Sequence, residues 1–454
     1  MKKVNLLAAA VLAASMSAPA FADYTPNAYF NGMVRAGVGM DKNGHTNAAY
    51  TNQVGRLGNE SRLFGEIGIG ADVAKVDDTV WTVNSMLGVA TDDEGVWVGA
   101  SDSLAFRQFN VEVKGLFDAD KDAKLWVGKK YVQREDIHIT DTYYYDISGN
   151  GAGIENVSLG AGKFSFAYVQ NTRENNTFDV RYNFPLWDGA SFQVGNAYTQ
   201  IKNNVTEKTS YELAKHTFVN TYGKYAIFVD DSNGNFVPKK KTEVEKKSVE
   251  SVQQTNGNTL TLEFSQGFNG GWNKTVYQWF TGANAEALNV YPNGNKNNTR
   301  GNAHKVYNFG EMSFGNFHVA HVVSASTQNY HNVAKGSDDG EKIKAFQIVV
   351  RPWYQLTKMT KLVTEFGIYG KYTKDKKSGD TKETERAKKA TVAYAICPDA
   401  SSIMSRPEIR FYATWLNGKT LNADGSYKSG VTGTKGKKEG STDVTVGVMA
   451  TAWW

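Results

Sequence analysis

The chain has one cysteine, Cys397, and only 8 prolines in 454 residues. A lone cysteine excludes an intramolecular disulfide framework. Beyond the N-terminus there is no apolar run long enough for a membrane-spanning helix, so a helical membrane protein is excluded. The 51 Lys and Arg exceed the 46 Asp and Glu by too little for a dedicated nucleic-acid binder.

Aromatic residues and glycine, in contrast, are abundant. The chain contains 23 Tyr, 23 Phe, 10 Trp and 44 Gly. Aromatic side chains favour strands, and glycine favours tight turns. Together with the scarcity of proline, this composition indicates a β-rich fold.

The N-terminus has the pattern of a secretory signal peptide. Two lysines precede an apolar stretch, and a small-residue cleavage site ends at Ala22. We therefore expect residues 1–22 to be removed and residues 23–454 to form a single exported domain.

Several segments alternate between two faces. At the C-terminus, Val444 and Val446 share one face, and Thr445 and Met449 share the other. This two-residue period indicates strands with one apolar face, and it sets Trp454 on that face. The residues that the period assigns to the opposite face include Met33, Arg35, Phe64, Glu66 and Trp453.

A soluble sandwich also alternates, so the period alone leaves a secreted β-sandwich or lectin open. Export, a last strand that reaches an aromatic terminus, and short turns alternating with long polar connections favour an outer-membrane β-barrel. We expect long connections at 229–258, 282–303, 374–389 and 417–442. At roughly 24 residues per strand with its connections, the domain predicts about 18 antiparallel strands around a channel.

The densest polar segment of the chain runs from 125 to 160. Its charged and aromatic residues lead into Gly149, Gly151 and Gly153, which we interpret as a turn. A connection with so many large polar groups is expected to fold into the barrel, as a constriction loop over about 134–153.

His138, Asp141 and Ser148 in this segment invite comparison with a catalytic triad. The chain has no nucleophile elbow, and triads are defined by geometry rather than by closeness in sequence. A salt-bridged polar network along a wall is the favoured interpretation. The seven histidines are scattered without a zinc-binding spacing, so no metal or cofactor is predicted.

Motifs spread from the first strand to the last resemble the maltoporins, the outer-membrane sugar channels. The longest is GKKYVQREDIHITDTYYYDISGNGAGIEN, which begins at Gly128. The others are RLGNE at Arg56, AFR at Ala105, FDVR at Phe178, RPWY at Arg351, SIMSRPEIRFYAT at Ser402 and the terminal WW.

The resemblance implies an 18-stranded trimeric barrel with an inward loop and a path of aromatics for sugar. Sugar rings have an apolar C–H face and a belt of hydroxyls, so aromatics hold the face while charged groups bind the belt. The implied aromatic positions are Phe64, Trp97, Trp272 and Trp453, with Tyr143 narrowing the pore. The implied polar track is Arg35, Arg56, Glu66, Arg107, Arg134, His138 and Asp141.

Three positions depart from the family pattern. Met33 and Met404 occupy aromatic positions of typical members, and methionine offers no flat face for stacking. Ser61 replaces a cysteine that forms a disulfide in familiar members.

The resulting hypothesis is a non-enzymatic outer-membrane channel for maltose and maltodextrins, in contact with lipid and assembled as a homotrimer. A channel for another oligosaccharide such as sucrose, or a general porin, is the nearest alternative. An outer-membrane hydrolase with a β-barrel fold is a third hypothesis. A phage or surface ligand at the extracellular loops would be compatible with transport.

Overall fold

A computed structural model describes most of the chain outside the signal segment. The described ranges are 25–41, 49–60, 63–91, 103–172, 175–201, 255–291, 299–332, 340–430 and 441–454, together with four short strands between 218 and 238. Residues 1–22, Ser61 and Trp97 lie outside them.

Within the described ranges, eighteen antiparallel strands form one closed barrel, as the sequence predicts. A short additional strand, Tyr427–Gly430, extends the same sheet by pairing with Glu408–Asn422. Each strand pairs with the next along the chain, and β1 pairs with β18 to close the ring. The strands are β1 Asn27–Met40, β2 Leu63–Val76, β3 Thr79–Thr91, β4 Ser103–Lys114, β5 Lys124–Lys130, β6 Gly149–Leu159, β7 Gly162–Gln170, β8 Asn175–Trp187, β9 Ala190–Ile201, β10 Gly257–Phe268, β11 Gly271–Gly282, β12 Thr299–Phe314, β13 Phe317–Asn332, β14 Gly340–Gln355, β15 Thr360–Asp375, β16 Thr381–Ile396, β17 Glu408–Asn422 and β18 Thr442–Trp453.

Residues 203–253 form a separate compact unit. Within it, Phe218–Val219 pairs with Tyr225–Ala226, and Phe228–Asp230 pairs with Phe236–Pro238. In the described residues, the helical segments are single turns, and no helix is long and apolar enough to cross a membrane.

The two faces of the strands match the predicted alternation. Val444 and Trp454 are exposed on the outer surface, whereas Thr445, Met449 and Thr451 are buried on the inner one. An apolar outer face suits lipid, and a closed sheet satisfies the backbone hydrogen bonds that lipid cannot.

The barrel has one rim of short turns and one rim of longer connections. The short turns include 77–78, 160–161, 188–189, 269–270 and 315–316. The long connection expected at 374–389 is wrong, because β15 and β16 extend into it and leave only 376–380 between them. The charges there are compatible with strands because they pair across them, as Lys371 does with Glu385 at 3.7 Å.

The polar connection between β5 and β6 occupies 131–148 and contains its own hairpin, Glu135–Ile137 paired with Thr142–Tyr145. The expected glycine turn is also wrong. Gly149, Gly151 and Gly153 lie in β6, and Gly153 faces the buried indole of Trp126, where a Cβ would collide with the ring. The constriction loop thus begins and ends earlier than 134–153.

Candidate functional site in the lumen

Two connections meet inside the barrel: residues 49–60, which follow β1, and the constriction loop 131–148. The backbone N–H of Arg56 donates to the carbonyl oxygen of Ile139 at 3.0 Å. The side-chain amide of Asn52 donates to the carbonyl oxygen of Asp141 at 2.6 Å. These bonds place the polar residues of both segments side by side.

A cluster of arginines and acids lies at this junction. Glu60 accepts a hydrogen bond from Arg56 and another from Arg410 at 2.7 Å, and Arg35 lies 3.6 Å from it. Asp141 pairs with Arg56 at 3.3 Å and with Arg35 at 3.8 Å. Burial alone would raise the pKa of Glu60, but the three guanidinium groups hold it well below its usual range.

A second polar group follows along the wall. The hydroxyl of Tyr131 donates to Glu66 at 2.5 Å, and Arg107 lies 4.0 Å from the same carboxylate. The Arg134 guanidinium carbon lies 4.3 Å from the ring centroid of Tyr131 and 4.1 Å from that of Tyr143. Tyr143 remains 39% exposed, so its ring is available to a molecule in the lumen.

Two of the predicted aromatics lie next to these charges. The Arg35 guanidinium lies 5.8 Å from the ring centroid of Phe64. The rings of Trp453 and His138 are perpendicular, with centroids 5.8 Å apart. The guanidinium of Arg406 lies 4.0 Å from the ring centroid of Trp453. Burial lowers the pKa of His138 well below its usual value, and neighbouring arginines add to the effect. Burial likewise lowers the pKa of Arg406 to about 10.

Trp272 lies on the same face of β11 as the buried residues Gln278 and Phe280, which is the lumen face. It shares that face with Lys274, whose ammonium group lies 2.7 Å from Glu263 and 3.9 Å from Glu135 of the constriction loop. Its ring makes an edge contact with Phe309, with centroids 5.9 Å apart. Trp272 lies on β11, whereas Phe64 lies on β2 and Trp453 on β18. It therefore faces the lumen from a different part of the barrel wall.

Met33 and Met404 lie in different parts of the fold. Met33 is the direct cross-strand partner of Trp453 in the β1–β18 pair and of Glu66 in the β1–β2 pair. Met404 lies in the connection between β16 and β17 and is exposed. Trp453 therefore has methionine where the family resemblance implies an aromatic neighbour.

The triad comparison does not match the observed contacts. The hydroxyl of Ser148 accepts a hydrogen bond from the backbone N–H of Val132 at 3.2 Å, whereas His138 packs on Trp453. Asp141 is engaged by arginines. The three side chains serve three different contacts.

Sequence reasoning missed three residues of the site: Glu60, Arg406 and Arg410. Signals for two of them existed. Glu60 is the acid four residues after Arg56, and Arg410 alternates with the outward residues Ile409 and Phe411. Arg406 lies in a turn, so strand alternation did not apply to it.

The LamB porin family model matches residues 28–454. The chain belongs to the LamB porin family. It is 31% identical over 477 residues to the maltoporin of Vibrio cholerae serotype O1, covering all of both chains. It is 31% identical over 436 residues to maltoporin 1 of Klebsiella pneumoniae, covering 90% of this chain and 91% of that one. It is 30% identical over 456 residues to the maltoporin of Photobacterium profundum, covering 94% and 93%.

Because the chain belongs to this family and forms a closed 18-stranded barrel, it is an outer-membrane porin. The prediction of fold class and location is thereby confirmed. The family consists of channels, which agrees with the engagement of His138, Asp141 and Ser148 in separate contacts.

Proposed function

We propose that this porin carries maltose and maltodextrins by facilitated diffusion, as a homotrimer. One observation carries the proposal. At the junction of the two inward segments, the ring of Phe64 lies beside Arg35, and Arg35 in turn pairs with Asp141. An aromatic ring, a guanidinium and a carboxylate thus lie next to one another.

This arrangement fits the surface of a glucosyl unit. Its C–H face packs on an aromatic ring, and its hydroxyls both donate and accept hydrogen bonds. Arg107 and Arg134, whose side chains remain partly exposed, supply donors, and Asp141 supplies an acceptor. Several sites of similar, weak affinity let a sugar advance without a deep trap.

We assign the stacking surface to Phe64, Trp453 and Trp272, and the width of the pore to Tyr143. Trp97, which lies outside the described residues, belongs to the same proposal from the family resemblance alone. Met33 and Met404 weaken two steps of the path, since methionine packs against a sugar without a flat face.

Liposome swelling tests the proposal. Vesicles containing the purified porin should swell faster in isotonic maltotriose than in isotonic raffinose, a trisaccharide of the same size. Equal swelling rates in the two sugars would reject specificity and leave a general porin.

A channel for another oligosaccharide is favoured by one observation, the methionine that faces Trp453 across the β1–β18 pair. A smaller stacking surface suits a sugar that relies more on hydrogen bonds. Faster swelling in sucrose than in maltose would support this second candidate.

A further inference from the structure

A carboxylate is fully buried on the inner face of β15, away from the proposed sugar path. Glu365 has no exposed side-chain surface. One of its oxygens accepts a hydrogen bond from Arg351 of β14 at 2.6 Å, and the other contacts the ammonium group of Lys389 of β16 at 2.6 Å. A buried carboxylate with two cationic partners has its charge compensated.

Two of these residues, Glu365 and Lys389, hold the segment 49–60. The carboxylate of Glu365 accepts a hydrogen bond from the backbone N–H of Leu57 at 2.9 Å. Lys389 donates to the carbonyl oxygen of Gly55 at 2.9 Å and to the side chain of Asn59 at 2.8 Å. The segment is therefore fixed by backbone atoms on either side of Arg56.

The constriction loop is tied to the same group. Arg351 donates to the carbonyl oxygen of Ile139 at 3.2 Å, and Ile139 also accepts from the backbone N–H of Arg56. His138 directly precedes this residue in the loop, and Asp141 follows it by two positions. One carboxylate thus organises, through two cations, both segments that carry the proposed site.

The sequence of the segment fits this contact. Gly55 has a φ of +95°, which favours glycine, and a Cβ there would overlap the carboxylate of Glu365. Thr391 of β16 adds a hydrogen bond from its hydroxyl to the carbonyl oxygen of Leu57 at 3.1 Å. Glycine is therefore required where the backbone passes over the buried acid.

We propose that Glu365 is a positioning residue that sets the width of the pore and the placement of Arg56, Glu60, His138 and Asp141. Its charge holds Lys389 and Arg351 in the geometry that fastens both inward segments to the wall. The backbone ladder of the barrel is independent of these contacts. Loss of the charge should therefore loosen the segments while the barrel persists.

The test compares Glu365→Gln with Glu385→Gln in planar bilayers. Glu385 is the control because it is an acid on the neighbouring strand β16 whose ion pair with Lys371 joins two strands, as do the ion pairs of Glu365. Glu365 differs in that it also accepts a hydrogen bond from Leu57 of an inward segment. Folding of each variant is checked by heat-modifiable mobility on gels. The first readout is sugar-free: open-channel current noise in KCl should rise at least about twofold in Glu365→Gln, because released segments fluctuate, and stay unchanged in Glu385→Gln.

The second readout rests on the proposed function. Block of the current by maltotriose should weaken roughly tenfold in Glu365→Gln, because a loosened support misplaces the contacting groups. If maltotriose blocks neither the wild type nor the variant, the proposed function fails. The positioning role of Glu365 is then tested by the current noise alone. Wild-type noise in a folded Glu365→Gln would overturn the positioning role.

A milder variant covers the case in which Glu365→Gln does not fold. Thr391→Val removes the hydroxyl that bonds to Leu57 and keeps the shape of the side chain. Its noise should shift in the same direction by a smaller amount. Noise equal to that of wild type would overturn the proposal.

Discussion

The guanidinium of Arg406 lies 4.0 Å from the ring centroid of Trp453. Its terminal nitrogen also donates to the carbonyl oxygens of Ile403 at 2.9 Å and of Ser405 at 2.8 Å, so the group is held in place over the indole. The imidazole of His138 packs perpendicular to the same ring. Trp453 is thus held by two neighbouring side chains, which leaves it as a fixed surface rather than a mobile side chain.

Replacing Arg406 should therefore weaken sugar binding. We expect Arg406→Gln to reduce maltotriose affinity about fivefold, because a cation–π contact contributes about 1 kcal/mol and the ring loses its brace. Titration of the current block gives the affinity. Arg386→Gln is the control, since Arg386 packs on Tyr372 and both side chains are exposed. Tighter binding in Arg406→Gln would mean that the guanidinium covers the sugar surface.

The aromatic surface itself makes a second prediction. Trp453→Ala should weaken maltotriose block about tenfold, because the loss of roughly 50–60 Å² of buried apolar contact at about 25 cal/mol per Å² costs about 1.4 kcal/mol. Sugar-free conductance should stay close to that of wild type. Trp415→Ala removes an indole exposed on the outer face of β17 and should change neither quantity. Equal block in the two variants would contradict the assignment of Trp453.

His138 predicts how stability depends on pH. Its folded pKa is lowered by burial, so the unfolded chain binds the proton more readily. The contribution of His138 to stability should be constant above about 6.5, the ordinary value of the imidazole, and should fall by up to about 1.4 kcal/mol per pH unit below it. Glu60, whose pKa is also lowered, adds its own loss only below about 4.5.

The midpoint of heat-modifiable unfolding between pH 7.5 and 5.5 measures this dependence. His138→Gln should reduce this dependence over that range. His304→Gln, on the ring that stacks with Tyr277, should preserve it. A midpoint that falls equally in all three proteins would assign the acid loss to other groups.

Gly55 makes a prediction about backbone conformation. Gly55→Ala should raise current noise as Glu365→Gln does, because the added Cβ displaces the segment from the buried acid. Gly425→Ala is the matched control: Gly425 also has a positive φ, +80°, but no atom lies within 4 Å of an added Cβ. Both variants bear a strain of about 1 kcal/mol, and only the first should alter the pore. The same noise in both would assign the effect to strain.

The sequence predicts the barrel well because alternation is local. Arg35, Phe64 and Glu66 face the lumen as their positions along β1 and β2 require. Buried charges on the strands are harder to anticipate. Lys389 belongs to a charged run of the kind found in solvated loops. In the structure it lies buried on a paired strand, where its charge is compensated by Glu365.

Contacts between distant segments lie beyond the reach of a single sequence. Leu57 and Glu365 are joined by one hydrogen bond across 308 positions. The brace on Trp453 joins a turn, an inward loop and the last strand. Such geometry depends on the closure of the barrel, which brings β1 and β18 together.

The most direct measurement is single-channel block of the wild-type porin by maltotriose and by raffinose in the same KCl solution. The two trisaccharides have equal size and differ in the surfaces that they present to an aromatic path. We predict concentration-dependent block by maltotriose at concentrations at which raffinose leaves the current unchanged. Equal block by both sugars would contradict a maltodextrin site in this lumen.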